Sequence, residues 1–168
     1  MGTRSIIARG TRDSWEGVYH HWDGYPTALG ATLFKVFNGY FEQNAKALLR
    51  FLLDEHRGGW STINNADFSQ PPGFDGPGPK CYCHGTRSEG PYDLLLSYGK
   101  DWAGAEYCYV INPKTSVMSV LERVYDNGTH AMSMFGLDSG APGWKCLADV
   151  PLLGPEPDWE KIEGIEEI

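Results

Sequence analysis

The chain opens on short, β-favouring runs. Ser5 to Arg9 (Ser-Ile-Ile-Ala-Arg) is rich in β-branched residues, and Gly10 to Ser14 carries turn chemistry. From Trp15 to Trp22 the pattern alternates, with Val18, His20 and Trp22 on one face and Gly17, Tyr19 and His21 on the other. Together these predict a β-hairpin. The period then changes. Pro26 suits a first helical turn, where its missing N–H would have no partner anyway. Leu29, Leu33, Val36 and Phe37 follow at helical spacing as far as Asn38-Gly39. A second helix is predicted from about Phe41 to His56, with Ala45, Leu48, Leu49 and Leu52 as its apolar stripe and Arg57-Gly58-Gly59 as its stop.

Between Trp60 and Lys80 the pattern is lost. The stretch Gln70-Pro71-Pro72-Gly73-Phe74-Asp75-Gly76-Pro77-Gly78-Pro79 excludes a regular helix or a central strand. A short helix is predicted over Pro91 to Tyr98. Ala105 to Ile111 and Ser116 to Tyr125 then form a second hairpin around Asn112-Pro113-Lys114-Thr115, and Trp144 to Val150 reads as a further strand. The expected fold is α+β: an antiparallel sheet built from two hairpins, with two consecutive helices packed on one face. Val18 or Trp22, Leu29, Leu33, Leu48, Leu52 and Val110 are expected to share its core.

Charge refines this picture at the C-terminus. Of the formal −8, a net −5 lies between Leu152 and Ile168, which hold six acidic residues and one Lys. The chain therefore divides into a single domain, 1–151, and an acidic Pro/Glu-rich tail, 152–168. The tail has at most a short helix near Asp158 to Ile162 and is expected to be dispensable for folding. The nearly balanced remainder has no Lys/Arg stripe, which disfavours duplex nucleic acid as a partner. No apolar run approaches the ~20 residues needed to cross a bilayer, and the N-terminus lacks the apolar stretch of a secretory signal. The expected setting is cytoplasmic, with thiols reduced.

Candidate chemistry concentrates at the strand-to-helix junction His20-His21-Trp22-Asp23-Gly24-Tyr25-Pro26. A helix start favours an anion, and flanking rings can stack on a base. Arg4, His21, Trp22, Asp23 and Tyr25 are the candidate ligand-binding residues, with Arg9 and Arg12 as further anion-binding forks. Trp22 and Asp23 also have bland readings, as a core ring and a helix cap. Cys81-Tyr82-Cys83-His84 offers soft metal ligands that His56 or Cys108 would complete. Its one-residue spacing and the lack of a second pair favour two core cysteines and no metal or other cofactor. His20, His21, His56, His84 and His130, with Asp23, Asp67 and Asp93, match no hydrolase motif.

Thr3-Arg4-Ser5-Ile-Ile-Ala, Gly17-Val18-Tyr19, His21-Trp22-Asp23-Gly24-Tyr25-Pro26 and Leu29-Gly30 resemble a family of small phage, prophage and actinobacterial proteins. The resemblance covers the first thirty residues closely and the rest loosely. This chain has His20 where the family's usual form has Cys. No activity is established for that family, so the resemblance implies a mobile-element setting and nothing catalytic. The resulting expectation is a non-catalytic binding protein of a phage or mobile element, acting in the host cytoplasm. It would sequester a small anionic nucleotide-like signal or inhibit a host defence protein. The alternatives are a hydrolase of a nucleotide signal and a virion accessory protein; oligomeric state stays open.

Overall fold

The computed structural model describes residues 3–73, 75–83, 96–97, 104–124 and 143–164. The first hairpin forms as its pattern predicts, from β1 (Ser5–Thr11) and β2 (Ser14–His20). A π-helical turn, Pro26–Gly30, runs directly into α1 (Ala31–Asn38). The second helix starts later than its apolar stripe suggests. Glu42 and Gln43 have left-handed backbones, and Asn44 caps α2 (Ala45–Leu49) by accepting a hydrogen bond from the Ala47 N–H. A second π-helical segment, Arg50–Asp54, completes it.

β3 (Trp60–Thr62) and β4 (Lys80–Cys81) bracket the Pro/Gly-rich stretch. The helix expected over Pro91 to Tyr98 lies mostly outside the described residues, and within it Leu96–Ser97 forms a strand, β5. β6 (Tyr107–Asn112) and β7 (Val117–Val124) form the second expected hairpin. β8 (Gly143–Pro151) and α3 (Trp159–Glu163) follow.

The two hairpins do not assemble as an antiparallel sheet with two helices on one face. The sheet is mixed, in the order β4-β3-β2-β1-β6-β7-β8, with β5 also pairing to β2. β1 runs parallel to β6 from Ser5↔Tyr107 to Arg9↔Ile111, and β2 meets β3 in parallel at His20↔Trp60. The physical reason lies in β1 and β6 themselves. Ile6, Ile7 and Ala8, and Cys108 through Ile111, are buried on both faces of the sheet. Continuous apolar runs of that kind belong to doubly covered strands, where parallel pairing is common.

The two faces carry separate cores. Ile7, Val18, Tyr109, Ile111, Met118 and Val120 pack with Leu29, Leu33, Phe37, Leu48 and Leu52 from the helical segments. Ile6, Ala8, Trp15, Cys108, Val110 and Leu121 form the second cluster on the opposite face. Val110 is therefore buried, as expected, but not against Leu33 or Leu48. Trp22 is not core at all: 45 % of it is exposed.

The acidic tail docks. Leu152 and Trp159 join the helical-side core, with Trp159 edge-on to Phe34 at 6.2 Å between ring centres. Gly30 admits it: a Cβ there would lie 2.9 Å from the Trp159 ring. This burial argues against the tail's expected dispensability for folding. Among the described residues, no helix is long and apolar enough to cross a membrane.

Candidate functional site

β1 and β2 set out the candidate residues by parity. In their antiparallel register Ser5 faces His20 and Ile6 faces Tyr19, so the same register carried one step further puts Arg4 opposite His21. Arg4, Tyr19 and His21 thus share the face away from the helices, while Ser5, Val18 and His20 share the helical face. The Tyr19 hydroxyl and His21 Nδ1 are 2.6 Å apart. His21 in turn meets the Trp22 ring edge-on, with centroids 4.6 Å apart. The backbone beneath these rings is held: the His21 N–H donates to Trp60 O and the Trp22 N–H to Ser61 O, both at 3.0 Å.

Tyr19 and Tyr82 are the two members of this face that the sequence does not single out as candidates, although alternation sets Tyr19 beside His21. Tyr19 lies in β2 and Tyr82 just beyond β4. Tyr82 shares a side-chain hydrogen bond with Ser61, and it lies close enough to Tyr19 to influence that hydroxyl's ionisation. Burial raises the Tyr19 pKa and the Arg4 charge opposes that rise in part, which places the guanidinium within electrostatic reach of Tyr19. Alternation along β2 was the available signal for Tyr19. Tyr82 had none, because its partner strand lies beyond a long irregular stretch.

Asp23 and Tyr25 do not join this group. The chain turns at Asp23, which has a left-handed backbone (φ 52°). Asn64 fixes the turn, its Nδ2 donating to Asp23 O at 3.0 Å and to Trp22 O at 3.4 Å. Beyond it the chain is on the helical side: Tyr109 of β6 donates its hydroxyl hydrogen to Gly24 O at 2.6 Å. Tyr25 acts there through its carbonyl, which accepts from Ala28 and Leu29.

The helix start expected to receive an external anion already has one. Glu163 Oε1 of α3 accepts from both the N–H and the hydroxyl of Thr27, each at 2.9 Å. Arg9 and Arg12 are committed as well. Arg9 is bridged to Glu16 and Asp54 at 2.6–2.9 Å, and these partners raise its pKa, while Arg12 pairs with Asp149. A groove of about 670 Å³ runs beside α1, lined in part by Thr27, Lys35, Asn38, Asn64 and Glu156. Among the described residues that line it, Lys35 is the one cation; Glu156 shares the same lining, and Asn64 links the groove to the junction.

The histidines take different roles. His20 is fully buried, and its Nε2 accepts from the Ile63 N–H at 3.1 Å. Burial, reinforced by the neighbouring His21, pushes its pKa down to about 3, so the ring is neutral with its proton on Nδ1. His56 Nδ1 lies 3.4 Å from Cys83 Sγ, and Cys81 completes a group whose donor atoms are all within 4.8 Å of one another. Cys108, the other suggested completing ligand, belongs to the opposite core. Burial and the Cys81 sulfur push the Cys83 thiol up to about 11, the reverse of what an activated nucleophile needs. His84, His130 and Asp93 lie outside the described residues. No family model, curated protein or solved structure matches the chain.

Proposed function

We propose that the chain is a non-catalytic binding protein of a phage or other mobile element, working in the host cytoplasm by sequestering a base-containing, anionic small molecule. One observation supports the reading above the others. The Trp22 ring is nearly half exposed on a backbone pinned by three hydrogen bonds and meets His21 edge-on, Tyr19 meets His21 in turn, and the Arg4 cation and Tyr82 lie within electrostatic reach of Tyr19. An exposed ring on a rigid support is a stacking platform that loses little freedom on binding. An adjacent guanidinium supplies the forked donors that phosphate oxygens take. The mobile-element setting comes from the resemblance of the first thirty residues.

The proposed site differs from a helix-start anion site. Because Glu163 already fills the start of the helix at Thr27, the ligand's negative charge is assigned to Arg4. Stacking of a base on an aromatic side chain contributes ~1–3 kcal/mol, so Trp22→Ala is expected to weaken binding about tenfold or more. Arg4→Ala is expected to do the same, while Lys35→Ala in the α1 groove leaves binding unchanged. Because Trp22 is exposed, its variant should melt with the parent. Calorimetric titration with mono-, di- and cyclic nucleotides measures this, with chromatography of the recovered ligand alongside. Ligand returned chemically altered would replace capture by hydrolysis. No heat with any nucleotide, together with one strong partner captured from host lysate, would replace it by inhibition of a host protein.

A further inference from the structure

Three soft donors converge at the base of the Pro/Gly-rich stretch, on a different set of side chains from the ring face. The second π-helical segment ends at Asp54, and His56 follows it into the turn that leads to β3. Gly59 reverses the chain there with φ 83°, in a place where a Cβ would lie 2.6 Å from Tyr19 O. β4 then returns along this turn. Cys81 pairs with Trp60, and the Tyr82 N–H donates to Gly59 O at 3.1 Å. The same register brings Cys83 to Gly58, whose backbone also hydrogen-bonds the Cys83 sulfur. Cys81 and Cys83, two apart on an extended chain, therefore project to one side, where His56 meets them.

The arrangement is more specific than two core cysteines require. A tetrahedral zinc centre with Zn–S of about 2.3 Å and Zn–N of about 2.0 Å has donor atoms roughly 3.5–3.8 Å apart. His56 Nδ1 and Cys83 Sγ lie 3.4 Å apart, and all three donors fall within 4.8 Å of one another. The imidazole is only 3 % exposed and is wedged between Phe51 and Trp60, at centroid distances of 5.0 and 4.6 Å, so its ring plane is fixed. None of the four cysteines is in a disulfide. Two thiolates and an imidazole select soft or borderline ions over Mg²⁺ or Ca²⁺.

We propose that His56, Cys81 and Cys83 bind one Zn²⁺, which clamps the two ends of the 63–79 stretch together and leaves one tetrahedral position for water or an incoming ligand. Binding releases the two thiol protons to solvent and needs no redox partner. The sequence argued against this, since a one-residue cysteine spacing with no second pair is a poor zinc motif. Of the two completing ligands the sequence offered, His56 and Cys108, the structure brings in His56, 25 residues upstream of Cys81, through a chain reversal that spacing alone does not encode.

The test is metal content and ligand-field spectroscopy of the full chain. Protein reconstituted with zinc under reducing conditions and freed of excess metal is expected to retain about one equivalent by elemental analysis. Substitution with Co²⁺ is expected to give the intense visible bands of a tetrahedral site and thiolate-to-cobalt charge transfer. Cys83→Ser, at a half-buried position, should lower zinc affinity at least about 100-fold, while Cys146→Ser should keep the parent stoichiometry. The cobalt spectrum of the parent needs no variant, so a misfolded substitution leaves the test intact. Less than about 0.1 equivalent of zinc on the folded parent, an octahedral cobalt spectrum without thiolate bands, or Cys83→Ser binding as tightly as the parent would each overturn the clamp.

Discussion

His20 and His21 are neighbours with opposite fates, and parity explains why. His21 points to the ring face, whereas His20 is sealed in the helical side and held neutral, with its Nε2 committed to the Ile63 N–H. That burial has a pH signature. In the unfolded chain a histidine takes up a proton near its ordinary value of 6.5, while folded His20 refuses it until about pH 3. Its contribution to stability is therefore intact above about pH 6.5 and is lost as the pH falls through that value toward 3. The slope approaches ~1.4 kcal/mol per pH unit. His20→Gln keeps an acceptor for Ile63 but removes the titration, so its urea midpoint should vary less than the parent's between about pH 7.5 and 5. Equal slopes in the two proteins would show that His20 is protonated, or accessible, in the fold. Alternation along β2 made the His20/His21 division readable in the sequence. Trp22 was assigned to the His20 face by the same alternation, but β2 ends at His20 and the next residues follow β3 instead.

At the level of elements, the helical stripes were the clearest part of the sequence. Leu29, Leu33, Leu48 and Leu52 are all fully buried in one cluster, because a 3.6-residue apolar period has only one face to bury. Leu33→Ala and Leu48→Ala should each cost roughly 2–5 kcal/mol, read from chemical denaturation. Melting within a degree or two of the parent would contradict that packing. The start of the second helix was less readable. Apolar Phe41 extends the period, but the left-handed pair Glu42-Gln43 and the cap at Asn44 break the helix from it. α3 was harder still. Its position was legible, because Asp158 is a good cap, yet the surrounding acidity concealed that Trp159 is an anchor. Trp159 is 8 % exposed, and its indole N–H donates to Glu156 at 2.8 Å. Trp159→Ala should therefore cost about 3–5 kcal/mol, and a chain ended after Gly154 should melt well below the parent. Unchanged melting of the shortened chain would mean that α3 rests on the body without stabilising it.

Across the whole molecule, the pairing of β1 with β6 organises everything else, and it was the least legible feature. Each hairpin is a local event set by turn chemistry. The join between them unites residues about a hundred apart, and no turn specifies its direction. The clue was compositional: Ile6-Ile7-Ala8 and Cys108 to Ile111 do not alternate, as strands covered on both sides do not. The ring face depends on this join only indirectly, because Arg4 sits at its end, where its carbonyl accepts from the Glu106 N–H. The metal-ligating group depends on it hardly at all, since the β2–β3 ladder registers one residue pair before continuing as the hydrogen bonds of His21 and Trp22, and β4 is two residues long at the sheet's edge. Stability should follow this gradient. Amides of Ile6 to Ala8 and of Cys108 to Val110, flanked by strands on both sides, should exchange with deuterium only through global unfolding, and Leu33→Ala should accelerate them by its full destabilisation. Amides of Trp60 to Thr62 and of Cys81 should exchange through local opening, insensitive to Leu33→Ala and faster when metal is stripped with a chelator. Residue-resolved exchange measures both sets together. Uniform protection across them, with one common response to Leu33→Ala, would mean that the edge and the centre unfold as one unit. The 63–79 stretch would then be held by the sheet itself, with no separate stabilisation at its base.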